Sequence, residues 1–480
     1  YIVWTSAETP LGTWDGNSQK LGAWSLNVHH VYDPTGQVIY YGNGTRRSAD
    51  DYPSIIEAVA GTGTPGASTD GAEAISSTIY TPYGLAVDGE GTIYFTTQTD
   101  DRIWKVNTEG ILNVVAGTGT SGYSGDGAAA TSATLNNPSG IDIDAEGNLY
   151  VADTSNYVVR KIDTEGIITT VAGNGTYGFA GDDGLATSAN MKGPTGIVVD
   201  TQGNLYIADG GAISWDVTNH RIRKVDRNGI ITTYAGSSTV PFFGEYYDGA
   251  ADHAAFGSPR GMVFDAEGNL FVADSWRNVR KISYDGIVTT VATAYGAMST
   301  GDGGYATETM LDSPYDVAVD YEGNLYVASL YDYRVRKIDA DGVITTVAGN
   351  GTAGVAVDGK VATATNLYYP TAIAFDGFDN LYIADGGYSH IYKVRPFLKR
   401  YDDENIIIAS EDGSEIYEFD ANGVHLKTYN ALTSAVIYEF AYNGDGLLTT
   451  ITDGDGNVTT ITRDASGYAT AITAPFGQTT

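Results

Sequence analysis

Six times along the chain, a short run of alternating apolar and polar residues opens on a proline, breaks at a turn and resumes. One copy reads Pro138-Ser-Gly-Ile-Asp-Ile-Asp144, then the turn residues Ala145 to Asn148, then Leu149-Tyr-Val-Ala-Asp153. Alternation over five or six residues on either side of a Gly-containing turn predicts two short strands rather than a helix. The phrase starts at Pro82, Pro138, Pro194, Pro259, Pro314 and Pro370, so successive copies lie 56, 56, 65, 55 and 56 residues apart. A period of this length is the mark of a repeat architecture.

Each unit continues with a third run, such as Arg221-Ile-Arg-Lys-Val225, and a fourth, such as Ile167-Ile-Thr-Thr-Val-Ala172. Four antiparallel strands per unit with no long helix predict one blade of a β-propeller. The first three strands occur six times, the last set ending at Val394. The fourth also occurs six times, but its first copy, Ile55–Ala60, precedes the first proline, and Pro396 stops the sixth unit from forming its own. Six blades closed into a ring by an N-terminal strand are therefore expected, because an unpaired edge would otherwise remain.

Composition agrees with an all-β chain: 480 residues carry 61 Gly and 35 Tyr. No run of about 18 apolar residues is present, so no membrane insertion by this fragment is expected. With no Cys, disulfides and thiolate chemistry are excluded. A net charge of -33 opposes binding to nucleic acid, which needs a cationic stripe. It leaves a neutral or cationic partner, a protein or a glycan. The chain starts at Tyr1 and ends within a patterned stretch at Thr480, as a piece of a longer polypeptide would.

The flanks differ from the repeats. Residues 1–53 form a leading β segment, with a hairpin expected about Asp33-Pro-Thr-Gly36. His29 and His30 are adjacent on a strand and point to opposite faces, which disfavours a shared metal. Residues 54–396 are the propeller. Over 397–480 the period shortens to near 20 residues, and Ile416-Tyr-Glu-Phe-Asp-Ala-Asn-Gly423 and Thr450-Ile-Thr-Asp-Gly-Asp-Gly-Asn457 read as hairpins of a second β-domain, truncated at its end.

These phrases carry a resemblance. Gly-Asn-Leu-Tyr-Val-Ala-Asp153, Asn219-His-Arg-Ile-Arg-Lys-Val225 and Ile231-Thr-Thr233 resemble the NHL repeat, and Tyr417-Glu-Phe-Asp-Ala-Asn-Gly423 with Arg463-Asp464 resembles RHS/YD repeats. The leading Trp24-Ser-Leu-Asn-Val-His-His-Val-Tyr-Asp33 is similar to the plug-like segment before the propeller in teneurins and bacterial RHS proteins. The resemblance implies a six-bladed NHL-type β-propeller followed by the start of an RHS/YD-repeat β-shell on which it packs. It also implies a secreted or cell-surface setting and a recognition or scaffold role without catalysis. Two alternatives stay open: a gate or attachment module of a toxin-enclosing shell, and a metal-dependent propeller enzyme of the lactonase or lyase type.

Several motifs invite chemistry. Gly173-Asn-Gly-Thr-Tyr-Gly178 fits the dinucleotide pattern G-x-G-x-x-G, as do stretches starting at Gly61, Gly117 and Gly349. Four copies with no following helix argue for turns. Asp453-Gly-Asp-Gly-Asn457 starts like a calcium loop but lacks its helical setting, so a turn is expected, and weak calcium binding is the one cofactor the pattern allows. An Asp precedes every proline by 11 or 12 residues (Asp70, Asp126, Asp182, Asp248, Asp302, Asp358), and six copies read as a corner rather than a catalytic acid. Arg160, Arg223, Arg280 and Arg336 on the third strands are expected in exposed cross-strand pairs.

Function is sought where the copies disagree. The residues after the prolines, at the channel mouth, include Tyr83, Arg260 and Tyr315 among hydroxyls. The loops between second and third strands add Trp215, Trp276, Tyr331, Tyr333 and Tyr388. Aromatics, hydroxyls and one guanidinium suit a glycan or a protein loop. These eight residues are the candidate ligand-binding set, with no catalytic and no metal residue among them.

Overall fold

The computed structural model describes residues 31–32, 38–40, 54–210, 220–237, 248–293, 301–377, 379–395, 405–409, 415–420, 424–430 and, with single gaps, 435–479. His29, His30 and Trp215 lie outside these residues. Within the leading segment, Val31–Tyr32 pairs antiparallel with Val38–Tyr40.

The repeats fold as six antiparallel sheets. In one, Pro138–Ile143 pairs with Leu149–Asp153, which pairs with Val158–Ile162, which pairs with Ile167–Ala172. Each innermost strand packs against the next around the ring, and Pro370–Phe375 packs against Pro82–Val87. In the sixth sheet Ile55–Ala60 lies beside His390–Arg395, followed by Leu381–Asp385 and Pro370–Phe375. The N-terminal strand thus closes the ring.

Each blade carries a fifth strand that the four-strand reading did not contain. It has only two residues, such as Ala128–Ala129, and pairs with the outer strand at Ile167 and Ile168. A one-turn 3-10 helix follows it, such as Ala130–Ser132. The linker is a staple. Ala130 accepts a hydrogen bond from Gly117 N of the preceding blade, and Ala128–Ala129 holds the following one. Buried anchors fix each linker: Ala74, Ala130, Ala186, Ala251, Ala306 and Ala362, and then Ile79, Leu135, Met191, Phe256, Leu311 and Leu367. Two residues are too short to show a strand period, which is why the pattern along the chain did not reveal them.

The core is divided among the six contacts between neighbouring blades. One cluster joins Ala60, Ile391 and Tyr382 of the last blade to Phe95, Trp104 and Leu112 of the first. Five further clusters join the remaining neighbours. Full burial of each such aliphatic side chain stabilises by about 1.5–3 kcal/mol.

The third-strand arginines are not exposed. Arg160, Arg223, Arg280 and Arg336 are all 0% accessible. Arg160 Nη2 donates to Asp126 at 2.7 Å and its Nη1 lies 3.4 Å from buried Asp153. Arg223 does the same with Asp182 and Asp209, while Arg280 and Arg336 reach Asp248 and Asp302. The six linker aspartates are therefore corners, as expected, and four of them also neutralise a buried cation. In the first and last blades Trp104 and Tyr392 fill the arginine's place, and Asp70 and Asp358 instead accept Val114 N and Ala58 N.

By itself, the C-terminal region is a seven-stranded antiparallel meander from Asn405–Ala409 to Ala469–Thr473. Its hairpin tips repeat one device of the propeller. Asp453 Oδ1 accepts Asp455 N and Asn457 N, as Asp144 accepts Glu146 N and Asn148 N. Asp453, which would open a calcium loop, is engaged in a turn.

Candidate functional site at the channel mouth

The second residue after each proline sets how closely the inner strands approach. It is Gly84, Gly140, Gly196 and Gly261 in the first four blades, then Asp316 and Ala372. A Cβ at Gly196 would stand 1.8 Å from the Arg260 carbonyl oxygen, so a side chain there would push neighbouring blades apart. Asp316 is accommodated because its carboxylate occupies the room left by Gly261.

The inner strands enclose a central cavity of about 260 Å³. Its walls are mostly small and aliphatic, with two carboxylates from opposite blades. Asp142 Oδ2 accepts Val199 N at 2.7 Å and Asp316 Oδ2 accepts Ile373 N at 2.8 Å, each reaching onto the next blade. Burial pushes Asp142 up to about 6 and Asp316 up to about 7, against 3.8 for an ordinary aspartate.

At the mouth, the residues directly after the prolines divide into two groups. Ser139, Thr195 and Thr371 are buried and bond to the neighbouring blade: to Thr195 O, Pro259 O and Pro82 O respectively. Tyr83, Arg260 and Tyr315 instead meet over the channel. Arg260 Nη1 donates to the Tyr83 hydroxyl at 2.6 Å, the guanidinium lies 4.3 Å from the Tyr315 ring centroid, and the two tyrosine hydroxyls bond to each other. The rings are edge to face at 5.4 Å. Burial pushes the Tyr315 hydroxyl well above the ordinary tyrosine range, so it stays a protonated donor.

The loop tyrosines form a second group between the fifth and sixth blades. Tyr333 and Tyr388 lie 5.6 and 5.3 Å from Tyr368, and Tyr331 lies 5.6 Å from Tyr369, by ring centroids. Tyr368 and Tyr369 stack at 4.0 Å. A Cβ on Gly387 would meet the Tyr368 ring and carbonyl at 2.1 and 2.3 Å, so only glycine admits that ring. Tyr331 lies near both Arg260 and Tyr315 as well as Tyr369, linking the two groups. Trp276 stays on the fourth blade, against Gly257.

Of the eight candidate residues, six thus fall into two adjacent clusters. Tyr368 and Tyr369 were missed. The signal was present, since the pair before Pro370 is aromatic where Asn136-Asn137 precedes Pro138. The four G-x-G-x-x-G stretches are turns: a Cβ at Gly61, Gly117, Gly173 or Gly349 would stand 2.1–2.3 Å from the carbonyl at the start of a third strand. No α-helix follows any of them.

Sheet count, closure and repeat phrase define the class: an all-β, six-bladed NHL-type propeller. The family model of the Teneurin NHL domain matches residues 116–179, 175–242 and 293–387, and that of the Teneurin YD-shell matches 403–480. Teneurin-1 of Homo sapiens is 27% identical over 560 residues, covering 100% of this chain and 18% of that protein. Teneurin-m of Drosophila melanogaster is 26% identical over 514 residues, with 99% and 18% covered. The chain is a teneurin-like NHL propeller followed by a stretch that matches the Teneurin YD-shell, and it spans less than a fifth of the length of these relatives. Among solved structures, a Bacteroides thetaiotaomicron protein of unknown function superposes with a TM-score of 0.54 at 17% identity, over 75% of this chain and 79% of that one. An auxiliary nutrient binding protein of the same organism gives 0.52 at 15%, over 76% and 82%. These two share the fold.

Proposed function

We propose that the chain is a non-enzymatic recognition and scaffold region of a large secreted or cell-surface RHS/teneurin-like protein, engaging a protein or glycan partner through the propeller mouth. The observation that carries this reading is the five-tyrosine patch of Tyr331, Tyr333, Tyr368, Tyr369 and Tyr388. It occurs where the repeats diverge, and it presents rings and hydroxyls together, as interaction surfaces do. Tyr331 is half exposed there. The teneurin kinship supports an extracellular setting and a YD shell on which the propeller packs. The charge of -33 speaks against nucleic acid.

A lactonase- or lyase-type reading calls for converging metal ligands, and the described residues hold no group of three or more His, Asp or Glu that could bind one. The test is a screen of immobilised glycans and extracellular proteins against the full chain. Tyr333→Ala with Tyr368→Ala is expected to abolish whatever binding is found. Tyr284→Ala with Tyr321→Ala, at exposed hairpin tips, is expected to leave it unchanged. Binding indifferent to the first pair would refute the mouth as the recognition surface.

A further inference from the structure

Arg260 is unlike the four buried arginines of the third strands. Each of those faces an aspartate at 2.6–3.1 Å. Arg260 faces tyrosines: its contacts are the Tyr83 hydroxyl, the Tyr315 ring and, at a long 3.4 Å, Ser275 Oγ. No carboxylate lies within ion-pair distance of it among the described residues. A guanidinium has five N–H donors, and here at least three are unspent. Arg260 is half-buried at the mouth, with part of its surface accessible. The Tyr315 hydroxyl can also donate.

The site is thus a set of convergent donors with no anion of its own, in a protein with a large negative charge. The same position is a small hydroxyl residue in three other blades, so the ring does not require a cation there. The donors fit an oxyanion, and a planar guanidinium beside hydroxyls fits a carboxylate best. Main-chain donors that would grip a peptide are already engaged: Gly84 N by Thr96, Val199 N by Asp142, Ile373 N by Asp316. On one side, Tyr331 leads from Arg260 to the stacked pair Tyr368 and Tyr369, flat faces edged with hydroxyls. The net charge repels a polyanion far more than it repels a single carboxylate on a sugar ring.

Resting on the recognition reading above, we propose that Arg260, with the hydroxyls of Tyr83 and Tyr315, is the carboxylate subsite of an acidic-saccharide site, the sugar ring lying toward the tyrosine patch. The class is a terminal uronic or sialic acid residue.

The test titrates the full chain with 3'-sialyllactose, with a glucuronate-terminated disaccharide, and with lactose as the neutral control. At least one acidic probe is expected to bind about tenfold or more tighter than lactose, with affinity falling as salt rises. Arg260→Gln is expected to weaken the acidic probe by about 10- to 100-fold and so to remove most of its advantage over lactose, as loss of a charge-assisted contact does. Arg260→Lys should recover only part, because the fork is lost. Tyr83→Phe keeps the ring and serves as a second variant, with melting temperature and near-ultraviolet circular dichroism checking each fold; it should weaken the acidic probe several-fold. Acetate or sulfate binding as tightly as glucuronate would overturn the saccharide assignment in favour of a bare anion hole. Absence of acidic preference, or indifference to Arg260→Gln in folded protein, would overturn the subsite. If a ligand binds through Tyr333 and Tyr368 regardless of Arg260, recognition at the mouth stands and this inference alone falls.

Discussion

Tyr369 sits in the left-handed backbone region at φ +64°, and Tyr333 at +54°. A bulky side chain there costs about 1–2 kcal/mol. The conformation belongs to the repeat, since Asn137 and Ser313 before their own prolines share it. What is particular is the choice of an aromatic for a place that Asn fills more comfortably. Tyr369→Asn should therefore relieve strain of about 1 kcal/mol while losing ring contacts of about 0.5–1.5 kcal/mol, leaving the melting temperature almost unchanged. Binding at the mouth should nevertheless fall. A variant that melts several degrees lower and still binds would show that Tyr369 is there for packing.

The buried acids give a second expectation at this scale. Asp142, Asp153 and Asp209 are pushed up to about 6, and Asp316 and Asp385 to about 7, in each case chiefly by burial. All start near 3.8 in the unfolded chain, so the folded state holds protons more tightly. That stability is fully present below about pH 4 and is lost as pH rises through 6 to 7. His220 and His390 are lowered by burial and act oppositely, losing their contribution as pH falls below 6.5. The melting temperature should begin to rise as pH falls through 7 and go on rising toward pH 4, the five acids outweighing the two histidines. For Asp316→Asn the rise should be shallower, which scanning calorimetry over that range would measure.

At the scale of the element, the linker is where expectation and structure parted. Strands announce themselves by alternation, and all four per blade were legible in phrases such as Leu149–Asp153. The corner aspartates were legible as corners because they recur. Their buried partners were not: Arg160 on a strand with Lys161 beside it looks like a solvated pair, and only the fold shows that the linker roofs it over. Nor does a sequence reveal that Tyr83, Arg260 and Tyr315, up to 232 residues apart, converge on one axis. The buried cation makes the linker's role testable. Arg160→Ala leaves Asp153 without its cation and should cost about 3–5 kcal/mol, whereas removing exposed Asp126 by Asp126→Asn should cost less, both read by denaturant unfolding.

At the scale of the whole molecule, the ring is held shut by one strand. Ile56 is fully buried against Val394 and Ile373 of the last blade, so Ile56→Ala should destabilise by about 2–5 kcal/mol. Deleting residues 54–60 should leave an open edge and an aggregating or markedly less stable ring, read by light scattering and melting. A deletion that melts like the parent would refute closure by this strand. How the copies agree told the architecture; how they differ singled out the residues that gather at the mouth.

The same closure has a consequence for how the protein is made. Ile55–Ala60 is among the first parts of the propeller to be synthesised, yet its partner, His390–Arg395, comes last. At ordinary rates of translation the early strand must wait tens of seconds, edge exposed, while five blades form in order behind it. This first strand of the propeller is the last to dock, and during that interval its apolar Ile-Ile-x-Ala-Val-Ala face has no native partner to cover it.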